Sequence, residues 1–130
     1  MRIAVDDSIP GAVEVFGRLG DVRLFSGRSI NSAHLAETDA LVIRSVTSVT
    51  AELLKNTPVR FVGTATSGTD HVDILHLQKC GIQFADAAGC NARAVAEYLI
   101  AAIVRMAARE NGRISGKTIG IVGCGRIGSM

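Results

Sequence analysis

Short apolar runs recur along this chain: Ile3 to Val5, Val22 to Phe25, Leu41 to Ile43, Phe61 to Val62, Ile82 to Phe84 and Ile119 to Val122. The runs lack a regular polar alternation, which predicts strands covered on both faces, as in a parallel sheet. Between them lie stretches with helix punctuation. Pro10 suits a first helical turn, and Gly20 is expected to close that helix after "AVEVFGRL". In "TDHVDILHLQKCG", Thr69 or Asp70 can cap, Asp73 suits the first turn, Lys79 the last, and Gly81 the C′ position. Alternating strands and helices with right-handed crossovers predict an α/β, doubly wound, flavodoxin-like arrangement.

The stretch "NARAVAEYLIAAIVRMAARENG" reads differently. Asn91 can cap its start, Gly112 can end it, and Arg105 and Arg109 suit the negative C-terminal end. Val95, Leu99, Ile103 and Met106 form one apolar stripe, and Ala96, Ile100, Val104 and Ala107 form a second beside it. Two stripes need cover on more than one side, from a second domain or a second subunit. A core helix and an interface helix are both compatible with these residues. The expected organisation is a flavodoxin-like substrate-binding domain over 1–91, then over 92–130 this helix with the first strand and glycine-rich turn of a truncated Rossmann dinucleotide-binding domain, its strand in a different sheet from the first five.

Composition narrows the function classes. With 130 residues, the chain has room for one hydrophobic core. A net charge of +2, with Lys and Arg dispersed, lacks the basic stripe of a nucleic-acid binder. Glu97 and Arg105 interrupt the longest apolar helical stretch, so no membrane span is expected. "MRIAVDDSIP" does not read as a signal peptide. Cys80, Cys90 and Cys124 show no zinc spacing and read as reduced thiols of a cytoplasmic protein; no metal site is expected.

Ligands of open parallel sheets sit beyond the carboxyl ends of the strands, where loop amides and helix starts converge. Three loops qualify: Asp6 to Ser8, Arg44 to Thr47, and "TATSGTD" from Thr64 to Asp70. The last two should be neighbours and form one rim. Its guanidinium, hydroxyls and glycine, from Arg44, Ser45, Thr66, Ser67 and Gly68, suit carboxylate or phosphate oxygens. Capping alone would account for Thr69 and Asp70, and Gly68 can serve a left-handed turn. His34, His71 and His76 share no metal spacing and read as surface or capping residues. "IAVDDS" is similar to the acidic start of response-regulator receivers, but Arg44 and Ser45 stand where the phosphoacceptor carboxylate belongs, so that chemistry is excluded.

"TIGIV" precedes Gly123, Gly125 and Gly128 at GxGxxG spacing, the strand-then-turn context of a dinucleotide site. Cys124, Arg126 and Ile127 can add backbone amides and side-chain contacts. The helix behind the turn, and an acidic residue roughly twenty positions further on for the ribose, would fall past Met130. The expectation is an N-terminal portion of a longer enzyme, binding NAD only weakly by itself.

Together "LVIRSVT", "RFVGTATSGTDHVD", "AAGCNARAVAEY" and "GIVGCGRIG" resemble the N-terminal third of D-isomer-specific 2-hydroxyacid dehydrogenases over the whole chain. The resemblance implies NAD-dependent oxidation of a phosphorylated hydroxy acid, 4-phospho-D-erythronate in pyridoxal phosphate synthesis. The loop "TATSGTDH" is less glycine-rich than in phosphoglycerate dehydrogenases, the nearest alternative within the family. It carries substrate contacts to Ser45 and Thr66, cofactor contacts to the Gly123–Gly128 turn, and a homodimer interface to the helix over 92–109. It brings no catalytic residue into this chain. A self-contained flavodoxin-like binding module, with the final glycines a simple turn, is the competing reading.

Overall fold

A computed structural model describes residues 1–109 and 114–130, in two compact units, Met1–Ala87 and Ala88–Met130. The first unit is a parallel five-stranded sheet in the order β2-β1-β3-β4-β5. Its strands are β1 (Arg2–Asp6), β2 (Asp21–Phe25), β3 (Ala40–Ile43), β4 (Phe61–Thr64) and β5 (Gln83–Asp86). That is the flavodoxin-like order, whose direction reverses between β1 and β3. The connections hold helices α1 (Ala12–Phe16), α2 (Ala51–Leu54) and α3 (Ile74–Lys79), plus a 3₁₀ turn at Ser32–Leu35.

Because successive side chains point to opposite faces, each central strand feeds two cores. Ala4, Leu41, Ile43 and Val62 pack with Leu35, Val49, Leu53, Leu54 and Leu77 on one face. Ile3, Val5, Ala40 and Val42 pack with Ala12 on the other. Leu41 and Val62 are completely buried, and each such side chain stabilises the fold by roughly 1.5–3 kcal/mol.

Local chemistry sets the helix ends, in places differently from expectation. Gly11, at φ 69°, is the N-cap of α1, so Pro10 lies outside the helix. That helix stops at Phe16 with Gly17 as its C-cap, ahead of Gly20, whose position would set any Cβ 2.1 Å from the Met1 carbonyl oxygen. Asp73 is itself the N-cap of α3, accepting from His76 N at 2.9 Å, in place of Thr69 or Asp70. Its carboxylate reaches the amide three residues ahead, the usual N-cap geometry. Lys79 lies in the last turn of α3 and Gly81 follows in the left-handed region at φ 68°, both as the sequence predicts.

The second unit contains α4 (Ala92–Arg109). Leu99, Ile100, Val104 and Met106 are exposed, so both predicted stripes present uncovered apolar surface. Gly112, the expected end of this helix, lies outside the described residues. The five-stranded sheet excludes Ile119–Val122, as expected of a strand from a different sheet, but the strand predicted there does not form: this run joins no ladder among the described residues. A strand exists through its ladder, and this segment has no ladder partner; Ile119, Ile121 and Val122 are exposed.

Candidate functional site

The ladder between β3 and β4 pairs Ile43 with Thr64. Ser45 and Thr66 therefore each lie two residues past the last rung, at matching heights on adjacent loops. The β4 loop is tied down at both sides, since Ala65 N donates to Ile43 O at 2.8 Å and Ala87 N donates to Thr66 O at 3.3 Å. Val49 N donates to His71 O at 2.8 Å and Asp73 N to Val49 O at 3.0 Å, fastening the far end of that loop to the segment after β3. The structure thus brings Arg44, Ser45, Thr66, Ser67 and Gly68 onto the two adjacent loops of one rim, as expected.

The β1 loop joins them. Asp6, buried at the end of β1, accepts through Oδ1 from Ser8 N at 2.9 Å and also from the Ser8 hydroxyl. Arg44 Nη1 donates to Ser8 Oγ at 3.2 Å. The other Asp6 oxygen, Oδ2, is buried and has no hydrogen-bond partner. Beside it, Thr47 Oγ1 donates to Gly27 O at 2.9 Å, closing the β2 loop over the same corner. A carboxylate beneath the rim and a guanidinium on it leave the exposed surface with Arg44 as its cation.

Thr64 is buried and Thr66 half-buried. Their hydroxyls are 2.7 Å apart, Thr64 Oγ1 is 3.1 Å from His71 Nε2, and Thr66 Oγ1 donates to Gly68 O at 3.1 Å. His71 therefore belongs to the rim, where its sequence position beside Asp70 suggests only a cap. Gly68 does not occupy the left-handed region expected of it; its carbonyl is an acceptor for Thr66. Ser8 and Thr64 lie on the qualifying loops of the sequence but are absent from its named contact residues. Their signal was available, because each lies at or just past the carboxyl end of a predicted strand.

In the second unit, Gly123 adopts φ 98°, and a Cβ at Gly128 would fall 2.1 Å from Gly123 O, so the closed turn admits only glycine there. Ser129 N donates to Gly125 O at 3.1 Å, closing the turn. A glycine-closed turn is the part of a dinucleotide site that cradles pyrophosphate; among the described residues no helix stands behind it. The Arg126 guanidinium donates to Ala88 O and lies over Gly89, while Ile127 lines an apolar depression with Leu99, Ile103 and Ile121. Among the described residues, no three His, Cys, Asp or Glu side chains converge to hold a metal.

Comparison with known proteins decides the family. Residues 3–117 match the family described as "D-isomer specific 2-hydroxyacid dehydrogenase, catalytic domain". The chain belongs to that family. Within it, the chain is 51% identical over 129 residues to an erythronate-4-phosphate dehydrogenase of Chromohalobacter salexigens, a match covering 99% of this chain and 34% of that protein. It is also 51% identical over 129 residues to one from Serratia proteamaculans, covering 99% of this chain and 35% of the relative. The chain thus spans about a third of the length of the curated relatives it matches.

Solved 2-hydroxyacid dehydrogenases share the fold. An NAD-bound 3-phosphoglycerate dehydrogenase of Entamoeba histolytica superposes with a TM-score of 0.72 at 22% identity, covering 99% of this chain and 48% of that one. A D-lactate dehydrogenase of Aquifex aeolicus, complexed with NAD and lactic acid, gives 0.70 at 18% identity, with 99% and 46% covered. Among the described residues, no helix is long and apolar enough to cross a membrane.

Proposed function

We propose that this chain supplies the substrate-side domain and the cofactor turn of an NAD-dependent dehydrogenase. The enzyme oxidises the 2-hydroxyl of 4-phospho-D-erythronate to the 2-oxo acid on the route to pyridoxal 5′-phosphate. The observation that carries this reading is the rim itself. Arg44, Ser45 and Thr66 stand on in-register neighbouring loops, within a stretch 51% identical to erythronate-4-phosphate dehydrogenases.

The Ser45 and Thr66 hydroxyls hold substrate oxygens, and Arg44 neutralises a carboxylate or phosphate through a charge-assisted hydrogen bond. Ser67 and Gly68 complete the seat. Gly123, Gly125 and Gly128, with Arg126 and Ile127, hold the dinucleotide, whose nicotinamide accepts the hydride when bound. No residue of this chain is assigned to take the hydroxyl proton. The apolar stripes of the 92–109 helix face a second copy in a homodimer, and exposed Cys80, Cys90 and Cys124, which form no disulfide, support a cytoplasmic location.

Calorimetric titration with 4-phospho-D-erythronate, 3-phosphoglycerate and D-lactate tests the assignment. The first should bind best, and Ser45→Ala and Thr66→Ala should each weaken it about tenfold, one hydrogen bond's share. Preference for 3-phosphoglycerate would replace the proposed substrate. NAD should bind weakly, and micromolar affinity would contradict the need for groups other than the turn.

A further inference from the structure

Three contacts run in series from beneath the rim to its surface: His71 Nε2 to Thr64 Oγ1, Thr64 Oγ1 to Thr66 Oγ1, and Thr66 Oγ1 to Gly68 O. Each hydrogen bond needs one hydrogen, and the carbonyl of Gly68 has none to give. Thr66 must therefore donate to Gly68. Having one hydrogen only, Thr66 must then accept from Thr64, and Thr64 in turn must accept from the ring. The only assignment that satisfies all three contacts puts a hydrogen on His71 Nε2. Any other leaves one of them without a hydrogen, and Thr64 is 4% exposed, too buried for water to substitute freely.

We propose that His71 is a positioning residue: its Nε2–H starts a one-way relay through Thr64 that presents Thr66 as a polarised donor to an anionic ligand oxygen. This rests on the reading of the rim as the substrate seat. In the structure the Thr66 hydrogen points to a neutral carbonyl, the weaker of its possible acceptors. A carboxylate or phosphate oxygen arriving at the rim would draw that hydrogen by rotation about the Thr66 Cβ–Oγ1 bond alone. The two upstream bonds would remain in place, because Thr66 Oγ1 does not have to move to accept from Thr64. Donors that are themselves hydrogen-bonded donate more strongly, so the ring contributes to ligand binding from two side chains away. The ring's own backbone is held, since Val49 N donates to His71 O at 2.8 Å.

Two measurements on the 130-residue chain test this. The first is the ring nitrogen chemical shifts of His71 by long-range proton–nitrogen correlation at pH 8. A single neutral tautomer protonated at Nε2 is expected, relaxing to a mixture in Thr64→Val; a Nδ1–H tautomer in the wild type would overturn the relay. The second is the affinity for 4-phospho-D-erythronate of His71→Leu and His71→Gln, each checked by thermal unfolding. Loss of about tenfold is expected for Leu, with near-wild-type binding for Gln, whose amide N–H replaces Nε2–H. Equal weakening in both variants, or none in either, would overturn the proposal. Failure of the wild type to bind would instead remove the substrate seat and the donor role with it, while the tautomer would still decide whether the relay exists.

Discussion

Arg44 on the loop after β3 donates to the hydroxyl of Ser8 on the loop after β1, joining the two strands at which the sheet changes direction. Ser8 is held in turn by the buried Asp6 carboxylate. The rim cation is thus oriented from below, through a neighbour, while its guanidinium stays exposed. Ser8→Ala removes one Arg44 partner without removing the charge. Phosphate-ester affinity should fall by about threefold to tenfold, less than in Arg44→Ala, and titration of both variants against the wild type would measure the order.

Gly27 is where the β2 loop comes closest to this corner. A Cβ there would lie 2.3 Å from Asp6 Oδ2 and 2.7 Å from Thr47 Oγ1, both on buried residues that cannot withdraw freely. Gly27→Ala should cost about 1–3 kcal/mol, as overpacking does elsewhere. Urea unfolding would show a lower midpoint with an unchanged slope.

Asp39 gives the acid limb of the stability curve a specific origin. The Arg2 amide donates to its Oδ2 at 2.8 Å, and that hydrogen bond, followed by the Arg60 charge, holds its carboxyl below the usual range against an opposing desolvation. A carboxyl lowered in the folded state adds stability above its unfolded value, near 4, and loses it as pH falls through the folded value. Unfolding free energy should therefore decline below about pH 4, with a shallower decline in Asp39→Asn. Some slope should persist in that variant, because Glu52 is also lowered, by its own backbone amide and by Thr50.

The open stripes of α4 separate the two views of the whole chain. Leu99 is 47% and Ile100 63% exposed, a cost that a second copy would relieve. Sedimentation should show self-association that Ile100→Glu weakens. A compact monomer at all concentrations would favour the self-contained module instead.

Much of the first unit was legible in the residues, for a physical reason. Buried parallel strands need uninterrupted apolar runs, so Ile3, Leu41 and Val62 marked their own strands, and order along the chain then implied the sheet. Ser45 and Thr66 followed, because loops past adjacent strands must meet. The errors have a common cause: they depend on pairing that sequence does not display. "TIGIV" has the composition of a strand, yet without a ladder it stays unpaired. Asp73 outcompetes Thr69 and Asp70 as a cap because of where the chain enters α3. His71 joins the site only once the loop after β4 folds back and brings its ring to Thr64.

The matched rung between Ile43 and Thr64 has a consequence for redesign. Since both loops leave the sheet level with each other, exchanging the short peptides beyond that rung at constant length would keep Ser45 and Thr66 side by side. Inserting a single residue into one loop alone would stagger Ser45 against Thr66, so the level placement of the two hydroxyls depends on loop length as strictly as on side-chain identity.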